Sequence, residues 1–458
     1  MAEARATRCS IINAHARQIF DSRGQPMIEI DLQTELGLFR AAVPCGSQTN
    51  EHEAKELRDG YEGYHGMSVE KAIRNIHDFL LPGIKGMDPT MQQAIDVKLS
   101  QDLDGSQSNV GAWTKKRMGA NAVYAVSQAV CQAGAAAAGL PNWQHISNLA
   151  LNRSVVLPVP IIHLFDGGRR AENGCLYQEF GIMPTGATGY SEAMKMCSET
   201  YHYVRKMVEE RYGIDAVRVG EYGGFAPPFK DDNEVFEFLV EAINKANYQG
   251  KIQIAIDVAA YEFYDKETKL YDLGYKELDN DGTKKISPIA LAKKYTDFCT
   301  RYPIISITDP FDRDDWINFG KLTASIGEDV QIVGDSCYQG NPIRVQKGMK
   351  ENGTNGIAVR PIQVGTVWET IELVKLAKSD ASGWGIIGAT RAGDNANSFL
   401  ADLCVGLGLG EFKAGGLSNM DSVEKLNHFI RIEEELGQDA RYPGHNFRQP
   451  HVKPDLKK

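Results

Sequence analysis

Several short apolar runs in this chain end in residues that could do chemistry. The run 304–308 stops at Thr308-Asp309-Pro310, and the runs 252–257, 330–335, 356–360 and 384–391 stop at Asp257, Asp335, Arg360 and Thr390-Arg391. Each is rich in Ile and Val and closed by a charged or hydroxyl side chain, the pattern of a buried strand with a polar end. Helix-length segments separate the runs, and repeated strand–helix units predict a parallel sheet or barrel. The C-terminal strand ends of such a barrel face one shared pocket. Asp257, Thr308, Asp335, Arg360 and Thr390 or Arg391 are therefore expected to converge. The function of the chain is a question about that ring.

The elements that position this ring divide into two domains. Residues 9–45 alternate apolar and polar, as in Met27-Ile28-Glu29-Ile30-Asp31-Leu32, and turn at Glu35-Leu36-Gly37, which predicts an antiparallel meander. From about residue 51 to residue 150 the periodicity is helical, with an Ala-rich helix over 120–139 suited to close packing. Leu157-Pro158-Val159-Pro160 marks the passage into the barrel. The fold class is α/β: an N-terminal α+β domain over 1–150, a C-terminal (β/α)8-like barrel over 151–437, and a polar tail over 438–458.

Composition bounds the partners. The chain has 458 residues, 42% of them hydrophobic, enough for two domains with a large core. Its net charge of -10 argues against nucleic acid or an anionic membrane as the main partner. The eight Cys are scattered, with no CxxC and no zinc spacing, which suits reduced thiols of a cytoplasmic protein. No signal peptide and no membrane-length apolar run is read.

Ordered motifs carry a resemblance along nearly the whole chain. They are Asp21-Ser22-Arg23-Gly24, Glu56-Leu57-Arg58-Asp59-Gly60, Gly119-Ala120-Asn121-Ala122, Leu157-Pro158-Val159-Pro160, Gln178-Glu179-Phe180, Ala401-Asp402-Leu403 and Ile430-Arg431-Ile432-Glu433-Glu434-Glu435-Leu436-Gly437. In these segments the chain resembles the enolases, the phosphopyruvate hydratases of glycolysis. The resemblance implies a cap domain, a barrel that opens ββαα, and a dimer. It also implies the chemistry: a carbon acid loses a proton to a lysine, two magnesium ions stabilise the dianion, and a carboxylic acid helps the hydroxyl leave. By position, Asp257 and Asp335 match two of three metal carboxylates. Glu179 matches an acid of the leaving-group side, Arg391 the phosphate-binding arginine, and Lys413 the second active-site lysine.

Other positions depart from the family pattern. Thr308 stands where the family has its third metal carboxylate, and Arg360 where it has the base lysine. Tyr222 replaces the second acid, Arg170 and Thr390 replace histidines, and Gln48 and Ala392 replace serines. A guanidinium stays protonated and cannot accept the substrate proton. Asp309 is not expected to stand in for position 308, because neighbouring strand residues point to opposite sides. The substitutions add positive charge, so Arg360 or Arg170 is expected to pair with Asp257, Asp335 or Glu179. Arg391, Arg170, Arg360 and Lys413 are the expected anion-binding residues. The resulting expectation is a catalytically inactive, enolase-like protein with a structural, scaffold or regulatory role, placed in the cytoplasm and in a cytoskeletal or ciliary assembly. No cofactor is required on this reading, and Mg²⁺ binds weakly at most. The partner is a second copy or a true enolase. The alternatives are a functioning Mg-dependent enolase, a metal-free anion-binding module, or another chemistry using Tyr222 or Cys337 as base.

Overall fold

The computed structural model describes residues 9–44, 46, 50–60, 63–108, 111–379 and 383–451. Strands β1 (Ile11–Phe20), β2 (Pro26–Thr34) and β3 (Gly37–Val43) form an antiparallel sheet in the order β1-β2-β3. Alternation in β2 buries Ile28, Ile30 and Leu32. These pack with the helix Ala120–Ala137, whose Ala residues let the sheet approach closely.

The second domain is a closed barrel. Its strands are β4 (Val159–Asp166), β5 (Glu179–Met183), β6 (Gln253–Asp257), β10 (Ile304–Thr308), β11 (Gln331–Gly334), β12 (Gly356–Val359), β13 (Gly385–Ala389) and β14 (Glu411–Gly415). Strand β5 runs antiparallel to both β4 and β6, while the other neighbouring pairs are parallel. The helices Tyr190–Tyr212 and Asp232–Lys245 follow β5, which gives the expected ββαα opening. A small sheet of β7 (Tyr264–Asp265), β8 (Leu270–Asp272) and β9 (Lys285–Ile286) is inserted after β6.

The barrel interior is filled by an apolar layer that includes Val159, Ile161, Met183, Val333 and Ile387. Phe447 joins that layer, 6% exposed. The segment read as a polar tail is therefore packed as far as it is described. Arg448 donates to the carbonyls of Gly327 and Glu328, and the Tyr442 hydroxyl donates to the Pro184 carbonyl. Among the described residues no single helix is long and apolar enough to cross a membrane, and no disulfide is formed.

Candidate active site

Strand register decides which polar residues meet. In the parallel pair β10/β6, Thr308 stands opposite Asp257; in the antiparallel pair β5/β6, Glu179 stands opposite Asp257. Asp335, Arg360 and Thr390 each follow the last residue of their strands, β11, β12 and β13. A cavity of about 390 Å³ opens at this end of the barrel. It is lined by the predicted residues Arg170, Glu179, Tyr222, Asp257, Asp335, Arg360, Thr390, Arg391 and Lys413.

Two predicted residues are not among them. Thr308 faces a smaller space one layer below, and Gln48 lies outside the described residues. Asp309, set aside on the alternation rule, does line the cavity. Its φ of 48° is left-handed, so the strand alternation has ended there, and its carboxylate accepts the N–H groups of Asp335 and Ser336, each at 2.9 Å. Burial first, then the neighbouring Asp335 and Asp257, push the Asp309 carboxyl up to about 7.

The ring is an ion-pair network. Lys413 Nζ lies 2.6 Å from Asp257 Oδ2 and 2.8 Å from Glu179 Oε2. The Arg170 guanidinium donates to Glu179 and lies over the Tyr222 ring at 3.9 Å. Arg360 donates through Nη1 to Asp335 and through Nε to the Thr390 carbonyl at 2.8 Å. Burial opposes the charged form of Glu179, but Lys413 and Arg170 outweigh it and hold its carboxyl well below the usual range. Burial likewise opposes charge on Lys413, and Asp257 and Glu179 outweigh it, so its ammonium is held protonated.

Residues from the N-terminal domain complete the mouth. Glu53 accepts from Arg391 Nη1 at 2.9 Å and Nη2 at 2.7 Å, a bidentate pair across the domain boundary. Gln363 Nε2 and the Asn50 N–H also donate to Glu53, at 2.7 and 2.9 Å. Neither Glu53 nor the His163–Asp166 pair, 2.8 Å apart beneath the ring, is visible in the strand-end pattern. The one sequence signal for Glu53 is its place just before the Glu56–Gly60 motif.

The reading of Tyr222 or Cys337 as a new base does not fit this site. Burial pushes the Cys337 thiol well above its ordinary value and raises the Tyr222 phenol. The donor set also does not match a three-carboxylate magnesium site as arranged. Position 308 is threonine, Asp335 is taken by Arg360, and Asp257 is taken by Lys413. Among the described residues no group of three or more His, Cys, Asp and Glu side chains is placed to hold a metal ion.

Comparison with known proteins decides the family. Residues 154–451 match the model for the enolase C-terminal TIM barrel domain, and residues 11–146 match that for the enolase N-terminal domain. The chain belongs to the enolase family. It is 47% identical over 442 residues to Enolase 2 of Hevea brasiliensis, covering 96% of this chain and 98% of that one. Identity to Enolase of Solanum lycopersicum is also 47% over 442 residues, covering 96% and 99%.

These findings correct three expectations. Near-full-length similarity to named enolases overturns the reading of an inactive scaffold and of a chain that is not an enzyme. It also overturns the expectation that no cofactor is required, because the enolase chemistry set out above runs on magnesium. The expectation of a dead enzyme rests on a handful of substituted ring positions taken together, against 47% identity over 442 residues. The matches extend through both domains and every strand of the barrel.

Proposed function

We propose that the chain is a phosphopyruvate hydratase, converting 2-phosphoglycerate to phosphoenolpyruvate, in a divergent enolase whose ring positions are substituted. The observation that carries the reading is the family match across both domains, which brings with it a barrel-mouth cavity of about 390 Å³. That volume lies within the ~300–1,000 Å³ usual for small-ligand sites.

The substrate carries a phosphate and a carboxylate on a small skeleton. On this reading Arg391 and Arg360 receive the phosphate, since a planar guanidinium matches its oxygens. Lys413 and Arg170 receive the carboxylate, and Glu179 faces the leaving hydroxyl. Arg360 stays protonated and contributes charge and orientation, not proton acceptance. The proton lost from carbon passes to Asp309, whose carboxyl, pushed up to about 7, lines the same cavity, and it departs with the hydroxyl as water. The enolase acts as a pair of copies in the cytoplasm. Nothing in the relatives' names supports a cytoskeletal or ciliary attachment, and none is included.

The test is the ultraviolet absorbance of phosphoenolpyruvate formed from 2-phosphoglycerate in millimolar Mg²⁺. Turnover that is lost in Lys413→Ala is expected. Absence of turnover by the unmodified chain overturns the reading. Sedimentation at micromolar concentration is expected to show a dimer, and a monomer alone would refute the pairing.

A further inference from the structure

Beneath the ring, inside the barrel, lies a second cavity of about 20 Å³. Its walls include Ile161, His163, Ala255, Asp257, Ser306 and Thr308, all buried. A cavity needs about 10–15 Å³ to take one water, so this one has room for a single molecule of that size.

The polar atoms around it are unevenly satisfied. Asp257 Oδ1 and His163 Nδ1 are both buried without a protein partner among the described residues. The other oxygen of Asp257 meets Lys413 Nζ at 2.6 Å, so that carboxylate is half satisfied. The other ring nitrogen of His163, Nε2, lies 2.8 Å from Asp166 Oδ1. An ionised carboxylate only accepts, so the hydrogen of this bond sits on Nε2. A neutral imidazole with its hydrogen on Nε2 presents a lone pair at Nδ1. With His163 neutral, two residues of the cavity wall each carry an unpartnered acceptor, one from the ring and one from the buried His–Asp pair.

Two buried acceptors need a donor with two hydrogens. The hydroxyls of Ser306 and Thr308 line the same space, and each has one hydrogen to give and lone pairs to offer. Water has two hydrogens, fits the volume, and can accept from those hydroxyls with its own lone pairs. A bare monovalent cation suits the site less well. It needs a fuller shell of oxygen ligands, and it would stand beside the Lys413 ammonium that already neutralises Asp257. We propose that this cavity is a single-water site that ties the His163–Asp166 pair to Asp257, and through it to the barrel-mouth ring. The short side chain at position 308 leaves the space, and water occupies it. The site does not depend on whether the chain turns over substrate.

The experiment uses the unmodified full chain. A high-resolution crystal structure is expected to show one peak within about 2.7–3.2 Å of both Asp257 Oδ1 and His163 Nδ1. Crystals soaked in a rubidium salt are expected to give no anomalous signal there. Nitrogen-15 NMR of histidine-labelled protein is expected to report His163 as the neutral tautomer with hydrogen on Nε2. A cavity without density, a rubidium peak, or a His163 with hydrogen on Nδ1 each overturns the proposal.

Discussion

Replacing Glu53 by Ala tests how the two domains meet at the ring. The Glu53 side chain is 1% exposed and that of Arg391 is 9% exposed, so the pair is out of water on both sides. Truncation removes the carboxylate that pairs with Arg391, and removes the acceptor of Gln363 Nε2 and the Asn50 N–H. Removing one partner of a buried pair costs about 3–5 kcal/mol. The two neutral donors each lose a bond worth about 1 kcal/mol. The expected loss is therefore about 5–7 kcal/mol, large against a usual total of ~5–15 kcal/mol. Glu53→Gln keeps the shape and one acceptor oxygen, and should lose about 2 kcal/mol, the scale of a hydrogen bond to a charged group.

Urea unfolding read separately by tryptophan fluorescence and circular dichroism would measure both losses. The double variant Glu53→Ala/Arg391→Ala should cost less than the two single losses summed, because each single truncation already removes the shared ion pair. The pH dependence has a defined sign. Burial pushes the Glu53 carboxyl up, but Arg391 and Asn50 outweigh it, and the net direction is below the ordinary value. The stabilisation is then present above the unfolded pKa of about 4.3, and is lost as pH falls through the lower folded value. A loss under about 1 kcal/mol for Glu53→Ala, or strict additivity in the cycle, would refute the reasoning.

Three further outcomes follow from the same network. Lys413→Met strands Asp257 and leaves Glu179 with Arg170 alone, so turnover should vanish, and stability should fall by about 3–5 kcal/mol in urea unfolding. Tyr222→Leu removes the ring under Arg170 and should cost about 1–2 kcal/mol with the fold intact by circular dichroism. Glu411, fully buried in β14, has its carboxyl pushed up by burial to about 8. Between the unfolded pKa and pH 8 the folded state therefore holds a proton that the unfolded state has lost. Stability should fall as pH rises from 5 to 8, by up to ~1.4 kcal/mol per pH unit, and Glu411→Gln should flatten that slope.

The convergence of Asp257, Asp335, Arg360, Thr390 and Arg391 was legible in sequence, because a strand's apolar run and its polar end are local features. The two-domain order was legible for the same reason, from the change between alternating and helical periods. Asp309 was not, because alternation holds only while φ stays extended, and here it turns left-handed at the strand end. The substituted positions were legible as residue types, yet they pointed to an inactive protein, a conclusion overturned by similarity spread through both domains. Only the tertiary structure could join Glu53 to Arg391, which are 338 residues apart, or bring His163 and Asp257 to one cavity wall. Local sequence determines which side chains stand at a strand end. Which charge each one meets depends on barrel closure and domain docking, which bring together segments whose separation along the chain carries no local signal.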